Sequence, residues 1–495
     1  MDDGAALATD VCLPNAGAGP RPAVVLRTPY GRHHHHAELR AWTAHGFAAV
    51  AQDVRGRHES DGDWRPYHHE SADGAATLRW LRSQSWSSGP VVAVGSSYAA
   101  HCALTAALDG DPTGRADAVI AAVPALGATA TAREPLGPER LFSRAGWWAA
   151  HGDRPDSDPD ALDRALAAEP RLLEHLPVSA LPEHLGRPLP SWRGVWSDEH
   201  PDPLTPEDLR TARVPLLAVG GTRDPFVRDT HRLWAQWGGP VRLLIGPWGH
   251  GLTADPGPEA HRGHRLNLGR LYVQWARAAL AGTLGQGRRG ALALGGSALW
   301  CPATDAPHAT LIRDFGSHDG PRPLRGTSFV ADPVRPVRSD RLDVPDTGTP
   351  DRCLLLTAPL SRPLDLLGPA ELRLTATADA SPADWAVRIV TLDPEGTADR
   401  LATAVVRRTD PAGTAAEFTV PLGNLARRLP TRTRLRIEIA GHHFPAHVRQ
   451  PHTGEDPVTA TRLLASHRTV RPDGSALVLT AGRGRGVDPV QEICR

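Results

Sequence analysis

Acyl-transfer chemistry on a carbonyl needs three side chains: a hydroxyl nucleophile, an imidazole to take its proton, and a carboxylate to hold the imidazole. This sequence offers each of them just past an apolar run. Val91–Val94 leads into Gly95-Ser96-Ser97-Tyr98-Ala99, close to G-x-S-x-G with Ala in the last place. Small residues on either side of a serine suit a sharp strand-to-helix turn, where bulkier neighbours would clash. That register makes Ser97 the nucleophile and Ser96 the variable position. Val214–Val219 leads through Gly220-Gly221-Thr222-Arg223 to Asp224, and Val241–Ile245 leads through Gly246-Pro247-Trp248-Gly249 to His250. Alone, Ser97 could be a helix N-cap, and with 24 histidines in the chain a single His after a strand means little. The order Ser, Asp, His at three strand ends is the coincidence that points to chemistry. A tetrahedral oxyanion also needs donors. The N–H of Tyr98, next after the nucleophile, is one. Tyr30, in the Arg27-Thr28-Pro29-Tyr30-Gly31 loop after the Ala23–Leu26 run, can supply a phenol as the other.

These residues require a sheet to place them. Six short apolar runs bounded by Pro and Gly (Ala23–Leu26, Phe47–Ala51, Val91–Val94, Ala118–Val123, Val214–Val219, Val241–Ile245) suit strands buried on both faces. Helical patterns lie between them at Glu70–Arg82, Tyr98–Leu108 and Leu266–Leu280. The alternation predicts an α/β domain in two parts, residues 1–127 and 214–313. Between them, 128–213 has no good strand but helix-like pieces such as Pro159–Ala168, and reads as a helical cap above the strands' C-terminal ends, where ligands bind. Helical periodicity ends near 314. Strand candidates then recur at Cys353–Leu355, Ala370–Ala376, Ala386–Leu392, Ala402–Val406, Glu417–Val420, Arg434–Ile439 and Ser475–Leu479, which predicts an all-β jelly roll over 314–495.

Composition excludes several classes. At 495 residues the chain exceeds one domain of roughly 150 residues. Its formal net charge is zero and every cation among its 55 Lys-or-Arg positions is Arg, with acids interspersed. Nothing favours nucleic acid or an anionic membrane. Five scattered cysteines without a CxxC pair indicate neither zinc nor a disulfide framework. No basic-then-apolar leader and no apolar run near the roughly 20 residues of a membrane span are present. A cytoplasmic location is expected, with a homodimer possible.

Together the motifs resemble those of the cocaine esterase and X-prolyl dipeptidyl-peptidase family of serine hydrolases. The similar pieces are Arg27-Thr28-Pro29-Tyr30, Gln52-Asp53-Val54-Arg55-Gly56 with Ser60 and Gly62, Gly95-Ser96-Ser97-Tyr98, Asp224-Pro225-Phe226 and Gly246-Pro247-Trp248-Gly249-His250. Leu367-Gly368-Pro369, Asp393-Pro394-Glu395-Gly396, Phe444-Pro445 and Pro451-His452-Thr453-Gly454 extend the likeness to the β region. The resemblance implies an α/β-hydrolase sheet, an inserted helical cap and a C-terminal jelly roll. It implies Ser97 as nucleophile, Asp224 as acid and His250 as base, with Tyr30 and Tyr98 at the oxyanion. Ala100 replaces the commoner Gly after the elbow, and the leading strand common in the family looks absent at Met1-Asp2-Asp3-Gly4.

The expected function is cofactor-free hydrolysis of a small ester or amide through an acyl-enzyme. X-Pro dipeptide release, and biosynthetic acyl transfer or amide cleavage, are the alternatives with the same residues. A binding protein with a vestigial site is the alternative from another class. Trp147, Trp148, Trp192 and Trp196 crowd the cap and are candidates to line an acyl pocket. Asp198 and Glu199 are candidates to hold a substrate ammonium. The His33–His36 run reads as a solvated loop at the pocket rim rather than a metal site. Asp53 and Arg55 read as turn-forming, with Asp53 accepting backbone hydrogen bonds, and Glu59, Asp61 and Asp63 as solvated acids.

Overall fold

A computed structural model describes the chain apart from residues 15–18, 197–203 and 305–308. The first sheet is built from β1 (Thr9–Cys12), β2 (Arg21–Thr28), β3 (Ala48–Asp53), β4 (Ser87–Ser96), β5 (Ala118–Ala122), β6 (Leu216–Gly221), β7 (Val241–Gly246), β8 (Arg288–Ala293) and β9 (Trp300–Pro302). Among the described residues its order is β1-β3-β2-β4-β5-β6-β7-β8-β9. The strands from β3 to β8 run parallel, and β1 and β9 close the two edges antiparallel. All six predicted strands are present. The edge strands and β8 escaped prediction because they are short or carry Arg and Gly in place of an apolar run. β1, at Thr9–Cys12, puts a strand ahead of the first predicted one.

Successive strand residues point to opposite faces, and the core divides accordingly. Ala23 and Val25 pack with Leu78 and Leu81 of α2 (Glu70–Ser83), Ala103 and Leu104 of α3 (Tyr98–Thr105), and Leu233. Val24 and Leu26 face Leu39 and Trp42 of the helix His36–Ala44, together with Leu271 and Trp275 of Leu268–Leu280. The His33–His36 run is therefore not loop: residues 32–35 form one 3-10 turn and His36 opens a helix. The chain's last helix, Pro489–Cys494, also returns to this second face. Its Ile493 is fully buried there, and Glu492 pairs with Arg289 at 3.1 Å. The end of the predicted jelly-roll segment thus serves the hydrolase sheet, which a strand count could not reveal.

Between β5 and β6 lie five further helices of the described residues: α4 (Ala128–Ala132), α5 (Leu141–His151), α6 (Ala161–Ala168), α7 (Leu181–His184) and α8 (Pro206–Thr211). Of these, α5, α6 and α7 and their connections share a core with Phe444, Val448 and Val458 of the β domain, whereas Leu209 of α8 packs into the core of the first sheet. The helix after β6 is α9 (Val227–Gln236).

The remaining strands are β10 (Ala309–Asp314), β11 (Arg322–Pro323), β12 (Ser328–Ala331), β13 (Arg352–Leu356), β14 (Leu364–Ala378), β15 (Ala383–Leu392), β16 (Ala398–Arg408), β17 (Ala415–Leu429), β18 (Arg434–Ala440) and β19 (Ser466–Ala481). They form two antiparallel sheets, β10-β19-β14-β17 with β12 beside β19, and β11-β13-β18-β15-β16. Leu372, Leu374 and Leu477 from one meet Trp385, Val387 and Ile437 from the other. β10 pairs with β19 although it precedes residue 314; its ATLIRD sequence is mostly exposed or half-buried and carries no core signal.

Candidate active site

Ser97 follows β4 at φ 58° and ψ −121°, a left-handed conformation that L-residues adopt only under constraint. The constraint is visible. A Cβ on Gly95 would lie 2.1 Å from the Ala99 carbonyl oxygen, so the turn closes only over glycine. Ser97 N–H donates to Ala122 O at 3.0 Å, and Ala125 N–H donates to Ser97 O at 3.2 Å. Backbone on both sides fixes the serine at the C-terminal rim of the sheet.

Asp224 and His250 are brought together by their loops. Thr222 N–H donates to Gly246 O and Arg223 N–H to Trp248 O, both at 2.9 Å. Asp224 Oδ1 and His250 Nδ1 are then 2.7 Å apart. The Asp224 side chain is fully buried, whereas that of His250 is 43% exposed. Burial raises the Asp224 carboxyl above its usual range, and the His250 hydrogen bond opposes that shift. Phe226 sets its ring at 71° to the imidazole, 5.5 Å away.

The candidate oxyanion donors also converge. The Tyr30 phenol donates to Ser97 Oγ at 3.4 Å and accepts from Trp147 Nε1 at 3.3 Å. Burial pushes the phenol up, and the Tyr98 N–H is among the groups facing its oxygen. The Tyr98 side chain points the other way. It is fully buried, donates to Glu70 Oε1 and accepts from Tyr67 N–H at 2.6 Å. Anchoring the ring under the elbow leaves the amide to face the site.

Tyr30, Ser97, Trp147, His151 and His250 line one cavity of about 560 Å³ with Tyr272. Leu26, Val94, Leu252 and Leu268 make much of its remaining wall apolar. Ser97 Oγ bonds to Tyr30, and among the described residues no hydrogen bond joins it to His250. Unliganded catalytic sites commonly leave that contact open until substrate binds.

Only one of the four cap tryptophans meets this cavity. Trp147 and His151, four residues apart on α5, share the face toward the site. Trp148 is turned about 100° around the helix and packs with Leu141 and Ala145, as do Trp192 and Trp196, in the cap core. The expectation of a four-tryptophan pocket is corrected to Trp147. His151 was missed, although its i+4 spacing from Trp147 is readable. It is held neutral, pushed down to about 3 chiefly by burial and also by the Arg57 charge. Asp198 and Glu199 lie outside the described residues.

Arg57 is the other residue missed. Its fully buried guanidinium donates to Pro29 O at 2.9 Å, to His151 O, Asp156 O and Ser157 Oγ at 3.1, 2.8 and 2.7 Å, and to Arg154 O. It ties the Tyr30 loop to the end of α5. Asp53 accepts from Arg32 N–H at 2.7 Å and pairs with its guanidinium, and Arg55 pairs with Asp73 at 2.6 Å, as turn-forming residues should. Glu59, read as solvated, also pairs with Arg32.

No metal cluster involves the histidine run among the described residues. His35 faces Glu38 at 3.1 Å, and His36 faces Asp10 at 2.7 Å. Glu169, His175 and His184 in the cap offer ligand atoms within 4.8 Å of one another, but Glu169 and His175 are hydrogen-bonded to each other and none of the three lines the Ser97 cavity. No helix of the described residues is long and apolar enough to cross a membrane.

A family model described as X-Pro dipeptidyl-peptidase (S15 family) matches residues 3–252. One described as the X-Pro dipeptidyl-peptidase C-terminal non-catalytic domain matches residues 281–482. The cocaine esterase of Rhodococcus sp. (strain MB1 Bresler) is 26% identical over 542 aligned residues, covering 92% of this chain and 91% of that protein. Solved structures with the same fold include an aminopeptidase from the marine sediment archaeon Thaumarchaeota archaeon, 19% identical with a TM-score of 0.78, covering 98% of this chain and 95% of that one. An α-amino acid ester hydrolase is 19% identical with a TM-score of 0.75, covering 97% and 95%. Matched over half its length by the catalytic-domain model and over most of the rest by the C-terminal one, the chain is a hydrolytic enzyme and belongs to the X-Pro dipeptidyl-peptidase (S15) family.

Proposed function

We propose that the chain is a serine hydrolase that cleaves an ester of a small, largely apolar acyl group through a Ser97–His250–Asp224 triad. Ser97 Oγ attacks the carbonyl carbon while His250 takes its proton. Asp224 holds the imidazole tautomer and stabilises the charge that forms. Tyr30 O–H and Tyr98 N–H donate to the tetrahedral oxyanion, and donors held in place by the fold need no reorganisation as the charge develops. His250 then protonates the leaving alcohol, giving an acyl-enzyme. Water activated by His250 releases the acid and restores Ser97.

One observation carries this reading: a serine on a strained elbow, hydrogen-bonded to a buried phenol, shares a cavity with an imidazole already bonded to a buried carboxylate. The apolar wall supports an apolar acyl group. Release of an X-Pro dipeptide is the second reading. It needs a carboxylate for the substrate ammonium. Glu38 is a carboxylate of the lining, and it already faces His35. A fluorophosphonate should add covalently to Ser97, located by peptide mass, and S97A should abolish labelling. A folded wild-type protein that stays unlabelled, or labelling that persists in S97A, overturns the proposal. Comparing turnover of p-nitrophenyl butyrate with that of an X-Pro p-nitroanilide separates the two readings.

A further inference from the structure

A second cavity, of about 490 Å³, lies on the far side of Asp224 from the Ser97 cavity, between the hydrolase sheet and the β-sandwich. Its wall draws Arg140 from the cap segment, Asp224 and Arg228 from the loop and helix after β6, and Arg400 and Arg427 from β16 and β17. Neither Ser97 nor His250 touches it.

The charges of this wall do not balance. Arg223 and Arg427 share two carboxylates, Glu259 and Asp399, at 2.7 to 3.1 Å. Arg140 shares Glu134 with His447, at 3.1 and 3.0 Å. Asp224 is engaged by His250. Two guanidiniums are left over. Arg228 donates to Pro421 O at 2.6 Å and forms no ion pair among the described residues. Arg400, at the exposed mouth, has neither an ion pair nor a side-chain hydrogen bond there. Burial disfavours the Arg228 charge, and Glu134 and Asp229, near but not paired with it, oppose that shift. Residues of the same wall carry further unspent polar atoms: Arg140 Nη1, Thr222 Oγ1 and Thr403 Oγ1 are buried without a partner. Most of these unspent groups are donors, and guanidinium forks match the two oxygens of a carboxylate or phosphate.

We propose that this cavity binds a small oxyanion-bearing molecule, a carboxylate or a phosphate ester, with Arg228 and Arg400 taking its charge. The ligand would connect α9, which follows Asp224, to the sandwich. Its binding does not depend on the serine-hydrolase reading, since no residue of the Ser97 cavity contributes.

The test uses the full chain, with Ser97 blocked by a fluorophosphonate and, if labelling fails, unblocked. Inorganic phosphate and citrate are titrated by calorimetry against sodium chloride of equal ionic strength, and thermal unfolding is followed alongside. Saturable binding of at least one probe is expected, with a raised unfolding midpoint. R228Q/R400Q should weaken binding roughly tenfold or more, because two charge-assisted contacts are lost. R228K/R400K, which keeps the charge without the fork, should fall between, and it stands in if the glutamine variant does not fold. Phosphate bound in preference to citrate identifies a phosphate ester, and the reverse identifies a carboxylate. No saturable binding of either probe, or equal affinity in wild type and folded variants, overturns the proposal.

Discussion

Replacing Tyr30 with phenylalanine isolates one hydroxyl. That hydroxyl lies 3.4 Å from Ser97 Oγ and 3.3 Å from Trp147 Nε1, and the ring packs on the buried cluster of Val54, Tyr67, Tyr98 and Cys102 and edge-on to His151 without needing it. If the phenol donates to the transition-state oxyanion, its loss removes about 2.7–4 kcal/mol of stabilisation, or roughly 10²–10³ in kcat. KM for an ester should barely change, because the ground-state carbonyl gains little from this donor. The fold loses less. Trp147 Nε1 is left without an acceptor, at about 1–3 kcal/mol, which a thermal scan would register as a modest fall in midpoint. Steady-state hydrolysis of p-nitrophenyl butyrate measures the first quantity and calorimetry the second. A kcat unchanged in Y30F, in a preparation where S97A is inactive, would refute the role given to Tyr30 and leave the oxyanion to the Tyr98 N–H. A KM that rises while kcat holds would place the phenol in substrate binding instead.

Other outcomes follow from the same geometry. G95A should fail to form the elbow, because its Cβ would sit 2.1 Å from Ala99 O; soluble, active G95A protein would contradict that geometry. R57K cannot reproduce five contacts with one ammonium, so it should lower kcat/KM by loosening the Tyr30 loop and lower the thermal midpoint. His101 is fully buried beneath the elbow, bonded to Leu126 O at 3.1 Å and pushed down to about 3 by burial. The unfolded chain takes up this proton near pH 6.5 and the folded chain does not until about 3, so stability is full above 6.5 and declines as pH falls toward 3. Wild type should lose thermal midpoint through that window. H101Q should lose less, the rest of the slope being shared by the other histidines that burial holds low, among them His151, His231, His442, His443 and His452.

Much of the site was legible because local rules govern it. A serine between small residues after an apolar run specifies an elbow, and an Asp and a His just past later strands fall at the same sheet rim because parallel strands align their C-terminal ends. Where local rules stop, the reading failed. Adjacent tryptophans on α5 look alike in sequence, yet one faces the cavity and the other the cap core, and the choice depends on which side the sandwich packs with Phe444 and Val448. Nothing near Arg57 announces partners roughly 30 and 100 positions away. The histidine run looks like loop because four like residues carry no amphipathic pattern.

By itself, then, the sequence determined most of the element types, the division of the chain into an α/β part and an all-β part, and the order of Ser97, Asp224 and His250 just past three strands, since each is written in the spacing of apolar and small residues over a few positions. Only the tertiary structure decided which cap side chains meet the Ser97 cavity, which face receives the last helix, and that, among the described residues, two guanidiniums of the neighbouring cavity form no ion pair. Those outcomes depend on segments far apart in the chain closing on one another, and burial and pairing are properties of that closure rather than of any stretch of residues.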